Sequence, residues 1–391
     1  MKKQLFLPYS RQQINQDDIE AVSEVLKSDF LTQGPIIEIF EKDVAHTVES
    51  KYSIATNSAT SALHIACIAL GLKKGDILWT SPITFVASAN CARYCGANVS
   101  FVDIDEMTGL ISLEKLKEKL ELSSKEGRLP KILVPVHLTG SSCDMEEIYK
   151  LSKKYDFKIL EDASHAIGGT YKNKPVGNCM YSDITVFSFH PVKIITSGEG
   201  GVATTNDESL FIKMKELRSH GITKDKNKFK VFKTDPWAYE QQDLGYNYRI
   251  TDIQAALGKS QLRRLSEIVK ERNRQHIFYS EILKGLPINL LKIPKDVYSS
   301  FHLQVIQIEL SKKLHYREIF MNMRDAGIGV QLHYIPVHLQ PYYKQLGFKK
   351  GMYPNSELYS NRSISIPLYP GLKKEDQIYV KETLLNVLEK L

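Results

Sequence analysis

Lys193 stands alone between a hydroxyl-bearing apolar stretch, Thr185-Val186-Phe187-Ser188, and a glycine-rich close, Gly198-Glu199-Gly200-Gly201. A lysine amine is inert as a nucleophile while protonated and becomes useful when apolar neighbours or a second cation depress its pKa. Pro191, Val192, Ile194 and Ile195 flank it, and no acid is nearer in sequence than Glu199. Such an amine is suited to a Schiff base with an aldehyde, most often pyridoxal 5'-phosphate (PLP). The competing reading is a surface or phosphate-contacting lysine, although the GxxxxGK[ST] order of a Walker loop is absent.

A PLP enzyme also needs a carboxylate that keeps the pyridine nitrogen protonated, so that the ring accepts electrons. Asp162, in Glu161-Asp162-Ala163-Ser164-His165-Ala166, closes an apolar run and is either a cap or that carboxylate. Asn57-Ser58-Ala59-Thr60-Ser61 opens a mostly apolar helix. Small hydroxyl residues there are ordinary caps, and the same geometry presents free N–H groups to a phosphate.

Strands and helices alternate regularly around these residues. Short apolar strands are predicted at 52–55, 77–80, 99–102, 132–136 and 157–160, with helices at 62–70, 87–92, 112–120 and 145–154 between them. Asp144 is the expected cap of the last helix, with Glu147 reaching back. This alternation predicts a doubly wound, mostly parallel α/β layer with ligands at the carboxyl ends of its strands. Residues 218–248 break the pattern and read as a long, lysine-rich loop. Beyond Gly285 a smaller α/β unit is expected, with strands at 301–308 and 331–334 and helices at 314–325 and 374–388. The expected division is a large domain with an N-terminal helical arm over 1–255, then linking helices and a small C-terminal domain over 256–391.

Composition agrees with a soluble globular protein, 42% of the 391 residues being hydrophobic and 25% charged. The formal net charge of +7 comes largely from Lys224, Lys226, Lys228 and Lys230, a run better suited to solvent or a small anion than to nucleic acid. No apolar stretch approaches the roughly 18 residues of a membrane span. Five cysteines, an odd number set in apolar surroundings, fit reduced thiols and a cytoplasmic location.

NSATSAL (57–63), EDASHA (161–166), FSFHPVKIITSGEGG (187–201), LGYNYRITDIQAA (244–256), HYIP (333–336) and IPLYPG (366–371) together resemble the DegT/StrS family of PLP-dependent sugar aminotransferases over nearly the whole chain. The resemblance implies the fold type I architecture, a homodimer with shared active sites, and L-glutamate as amino donor. It makes Lys193 the Schiff-base lysine, Asp162 the partner of the pyridine nitrogen and Phe85 the residue stacked on the ring. His165 matches the residue beside the ring hydroxyl. Ala59, Thr60 and Ser188 match phosphate contacts, and Asn247 one supplied by the other subunit. Thr32, Gly34 and His333 match parts of the sugar pocket, and His220 and Arg249 join His333 as candidates for binding anionic groups. FSFHPVK, LTQGP and TSPITFVASAN are most similar to enzymes that aminate C4 of UDP-4-keto-6-deoxy-N-acetyl-L-altrosamine. Enzymes acting at C3 or C4 of another nucleotide-linked ketosugar share the same residues, and a PLP-binding regulatory protein is the non-enzymatic alternative. Relatives commonly read HITTGEGG where this chain has Ile194-Ile195-Thr196-Ser197-Gly198-Glu199-Gly200-Gly201, a change beside the lysine but not of it.

Overall fold

The structure, a computed structural model, describes residues 6–232, 235–309 and 315–390. Its largest sheet is built from β1 (Tyr52–Thr56), β2 (Ile77–Thr80), β3 (Asn98–Phe101), β4 (Ile132–Val134), β5 (Lys158–Asp162), β6 (Ile184–Ser188) and β7 (Gly201–Thr205). Strands of two residues are left unnumbered. The order is β1-β7-β6-β5-β4-β2-β3, and within it β7 alone runs against the others. The expected mostly parallel layer is therefore present.

Its helices are α1 (Gln16–Leu26), α2 (Pro35–Thr47), α3 (Ala59–Ala69), α4 (Ala87–Tyr94), α5 (Leu113–Lys125), α6 (Met145–Tyr155), α7 (Glu208–Arg218), α8 (Asp252–Leu262) and α9 (Leu265–Ile282). Most begin where a short polar side chain takes up an orphan amide: Ser58 accepts from Ser61, Ser112 from Lys115, and Thr251 from Gln254. Asp144 caps α6 as expected, but Glu147 turns away to pair with Lys150 at 2.7 Å. Alternation along the strands sends successive side chains to opposite faces. Val186 packs with Leu63, Ile65 and Met214 on one side, and Phe187 with Phe40, Val44 and Ala255 on the other.

A second, antiparallel sheet has the order β8 (Ile288–Leu290), β9 (Gln304–Ile308), β10 (Ser363–Ile366). Around it lie α10 (Tyr316–Asp325), the short α11 (Pro341–Gln345) and α12 (Pro354–Ser360), and α13 (Lys374–Glu389). Position 314, the expected start of α10, lies outside the described residues. Ile306, Ile319, Met323, Val380 and Leu384 share the core of this unit. The strand expected at 331–334 is not formed. Gln331 alone pairs, with Ser365 of β10, after which His333 bonds the Ser365 hydroxyl at 2.8 Å and Tyr334 turns toward His165. Side-chain demands from the neighbouring sheet override the local pattern there.

The segment at 7–10 is stitched to both parts, by Leu7 to Gly327 and Gly329, by the Tyr9 carbonyl to Leu368, and by the Ser10 hydroxyl to the Val192 carbonyl at 2.9 Å. Among the described residues of 218–248, the Glu240 carboxylate accepts from the amides of Lys230, Val231 and Phe232 and is held at a pKa of about 2. Burial opposes that shift, and these amides together with the Gln242 side chain outweigh it. All five cysteines are free. Among the described residues no helix is long and apolar enough to cross a membrane, and no cluster of His, Cys, Asp or Glu is placed to hold a metal ion.

Candidate active site

A cavity of about 870 Å³ opens at the carboxyl ends of β5 and β6. Lys193 lines it from the turn after β6, held by its own amide to the His190 carbonyl at 2.9 Å. Burial lowers its amine to a pKa of about 8, against the opposing pull of the Asp162 carboxylate. Residues 194–197, immediately after the lysine, pack rather than line. Ile194 and Ile195 are buried against α2 and α8, and the Ser197 hydroxyl caps the Glu199 carbonyl at 2.8 Å. The departure from the family wording thus sits behind the lysine.

Asp162 ends β5 and is buried, and its carboxylate is held from two sides. The Ser88 hydroxyl of α4 donates to Oδ2 at 2.5 Å, and the Ser164 amide donates to Oδ1 at 3.1 Å. Thr84 lies 2.6 Å from the Ser88 hydroxyl and completes the clamp. A buried carboxylate with so few donors and a cavity in front of it is poised for a cationic or N–H partner.

Phe85 is 58% exposed although it lines the same cavity, an apolar ring left for a ligand to cover. Opposite the acid lies the start of α3. The amides of its first turn, at Ala59 and Thr60, have no intrahelical acceptor, and Ser58, Thr60 and Ser188 bring hydroxyls to the same place. The close approach requires Gly201. A Cβ there would meet the Ala59 nitrogen at 2.4 Å, so β7 can pass under the helix start only without a side chain. An acid for a ring nitrogen, an open aromatic face, a lysine and a phosphate-holding helix start all suit PLP, and the residues present fit that cofactor.

The remaining wall carries imidazoles. His165 and His302 stand 4.4 Å apart between ring centroids, and His333 lies 5.0 Å from Tyr334. All three are kept neutral. Burial, then the charge of Lys193, hold His165 well below its ordinary pKa, while burial and Lys193 take His333 to about 3. His302 is depressed in the same sense, by burial first.

Of the residues expected at the site, Ala59, Thr60, Phe85, Asp162, His165, Ser188, Lys193 and His333 share this cavity. Thr32, Gly34, His220, Arg249 and Asn247 do not line it. Thr32 bridges Thr251, and the Gly34 amide donates to Asp252 at 2.8 Å, which ties that turn to the start of α8. Arg249 bridges Thr56, and Asn247 is exposed beside Ser219, with His220 next to it. Sequence reasoning missed Tyr9, Ser88, His302 and Tyr334. Tyr334 lies in HYIP beside His333 and was legible as part of that motif, whereas nothing local marks Tyr9, Ser88 or His302.

The DegT/DnrJ/EryC1/StrS aminotransferase family model matches residues 12–385. Over 386 residues, 98% of each chain, the sequence is 39% identical to the UDP-4-amino-4,6-dideoxy-N-acetyl-beta-L-altrosamine transaminase of Campylobacter jejuni subsp. jejuni serotype O:23/36 (strain 81-176). It is 37% identical over 393 residues to the spore coat polysaccharide biosynthesis protein SpsC of Bacillus subtilis (strain 168), covering 99% of this chain and 98% of that one. Helicobacter pylori PseC, an aminotransferase involved in the biosynthesis of pseudoaminic acid, superposes with a TM-score of 0.91 at 32% identity, covering 99% of this chain and 100% of that one. Spr1654 of Streptococcus pneumoniae, solved in its PLP-form, gives a TM-score of 0.89 at 29% identity, covering 98% of this chain and 99% of that one. Fold, site and full-length likeness converge, and the chain belongs to the DegT/DnrJ/EryC1/StrS aminotransferase family as a PLP-dependent enzyme that aminates a sugar.

Proposed function

We propose that the enzyme transfers the amino group of L-glutamate to C4 of UDP-4-keto-6-deoxy-N-acetyl-L-altrosamine, in the cytoplasm and as a homodimer. The observation that carries the choice of sugar is the full-length likeness to the Campylobacter transaminase, joined to the FSFHPVK wording around Lys193. In this reading Asn247 serves the partner's cavity, consistent with an exposed Asn247 that does not line its own. Position 255 falls inside α8, so the proposed division at that point is one of roles. Residues 1–255 carry the cofactor side, and 256–391 carry His302, His333 and Tyr334 on the facing wall.

Bound in this cavity, PLP supplies an electron-withdrawing ring through which an amino group is taken from one substrate and given to another. Asp162 would keep the proton on the ring nitrogen, with Ser88 and the Ser164 amide fixing its carboxylate. The start of α3 and Ser188 would hold the phosphate, and Phe85 would lie against the ring. Lys193 Nζ would be the base that takes the proton from the donor's α-carbon and, with the ketosugar, the acid that gives a proton to C4. A base already in place needs no second residue for this step.

The test is a coupled assay of the purified protein with glutamate and a panel of UDP-, GDP- and dTDP-linked 4-keto sugars, with the product's amino position fixed by NMR. The expected product is the 4-amino sugar of the L-altro series. A preference of about ten-fold or more for the D-series UDP-4-keto-6-deoxy-N-acetylglucosamine isomer, or an amino group at C3, overturns the substrate and leaves the aminotransferase standing.

A further inference from the structure

A run of hydrogen bonds on the imidazole wall has a direction. It begins at the Thr139 amide, which donates to His165 Nδ1 at 3.2 Å. That nitrogen is an acceptor, so a neutral His165 carries its proton on Nε2. Nε2 lies 3.1 Å from the Tyr334 hydroxyl oxygen and donates to it. The phenol's own proton is left for the cavity, which Tyr334 lines.

Thr139 is held firmly enough to set that direction. It sits in the turn Leu138–Gly140 with a φ of 60°, and its carbonyl accepts the His302 amide at 2.7 Å. One residue before the turn, His137 donates its backbone amide to the Asp162 carbonyl at 3.0 Å. Its ring is locked between the Cys143 amide, which donates to Nδ1 at 3.1 Å, and Glu161, 2.6 Å from Nε2. The Thr185 hydroxyl adds a bond of 2.7 Å to that same buried carboxylate. Glu161 and His137 thus anchor the turn from the far side of the sheet, and the turn dictates the tautomer of His165.

We infer that Tyr334 is a substrate-positioning residue, an obligate hydrogen-bond donor to an oxygen of the ketosugar rather than to the amino donor. The inference rests on the proposed ketosugar substrate. Its chemistry follows from the lining. His165, His302 and His333 are neutral, and Lys193 is the one lysine or arginine among the described lining residues. A neutral phenol among neutral imidazoles suits hydroxyl or carbonyl oxygens, whereas the carboxylates of glutamate call for charged donors. Tyr334 also stands 6.3 Å, ring to ring, from Phe85, which lines the same cavity.

The experiment separates the two half-reactions in Tyr334→Phe holoenzyme, whose ring still packs but donates nothing. The cofactor absorbance and retention are expected unchanged, and the glutamate half-reaction within about three-fold of wild type. kcat/KM for the ketosugar half-reaction is expected to fall about ten-fold or more, because a donor is lost from a buried oxygen. Calorimetry with UDP-N-acetylglucosamine as a non-reacting probe is expected to show a similar loss of affinity. Equal losses with both substrates, or a variant as fast as wild type on the sugar, overturn the assignment of Tyr334. A wild-type enzyme that aminates none of the nucleotide-linked ketosugars overturns the substrate reading instead, so the two failures are distinct.

Discussion

Replacing Asp162 by Asn removes one charge and leaves almost every contact in place. Asp162 is buried, and its Oδ1 still accepts the Ser164 amide in the variant. At the Oδ2 position the new NH2 faces the Ser88 hydroxyl, which is released to donate to Thr84, 2.6 Å away. The expected loss of stability is therefore small, about 1 kcal/mol. The chemistry loses more. A neutral amide in place of a carboxylate cannot hold the proton on the ring nitrogen, and loss of a charge-assisted bond in a site this buried raises the barrier by about 3 kcal/mol, roughly 100-fold in rate. The assay is rapid mixing of PLP-loaded variant with glutamate, following the cofactor's absorbance over a single turnover, with occupancy checked by equilibrium dialysis. A loaded variant that reacts at nearly the wild-type rate would remove Asp162 from this role and move it to another carboxylate.

Lys193→Ala is expected to abolish turnover while circular dichroism and thermal unfolding stay near wild type, and borohydride reduction of the wild type should attach the cofactor to the peptide containing Lys193. Because burial lowers this amine to a pKa of about 8, capture of added PLP by the apo-protein should accelerate as pH rises toward 8 and level off above it. The sign for stability follows: between about 8 and the ordinary value of 10.5 the unfolded chain binds a proton that the folded chain does not. The stability Lys193 contributes to the apo-protein therefore rises with pH through that window and is lost as pH falls through 8. Finally, Lys193→Ala and an independently inactive Asn247→Ala, mixed and allowed to exchange subunits, should recover activity, up to half of normal per mixed dimer because one site collects both defects and the other neither. Confirmed exchange with no recovery would place Asn247 in its own chain's site.

Local sequence was sufficient for the elements of the large sheet and the residues at their ends. β-branched and apolar runs gave Ile184–Ser188 and Lys158–Asp162 their conformation, and the residues immediately after them, Lys193 and the turn at Ser164, follow because a strand end opens on a cavity in this layer. Ser58 announced the start of α3 for the same local reason, a cap beside free amides. Gly201 was legible as a glycine, but its reason, the Ala59 nitrogen 2.4 Å from where a Cβ would be, belongs to the packing of β7 under α3. The facing wall, by contrast, exists only once the chain is packed. Tyr9 arrives from the first described residues, Ser88 from α4, His302 from just before β9 and Tyr334 from a segment expected to be a strand. Ser88 is set by its bond to Asp162 and Tyr334 by its bond to His165, partners distant in sequence. Local propensity reports what a stretch of backbone prefers, and it is silent about which remote side chain a hydroxyl or imidazole meets once the sheets are brought together. The direction of the bonds through His165 is settled at that level too, since a tautomer is chosen by the donor it faces, here the amide of Thr139 in a turn anchored by Glu161 and His137.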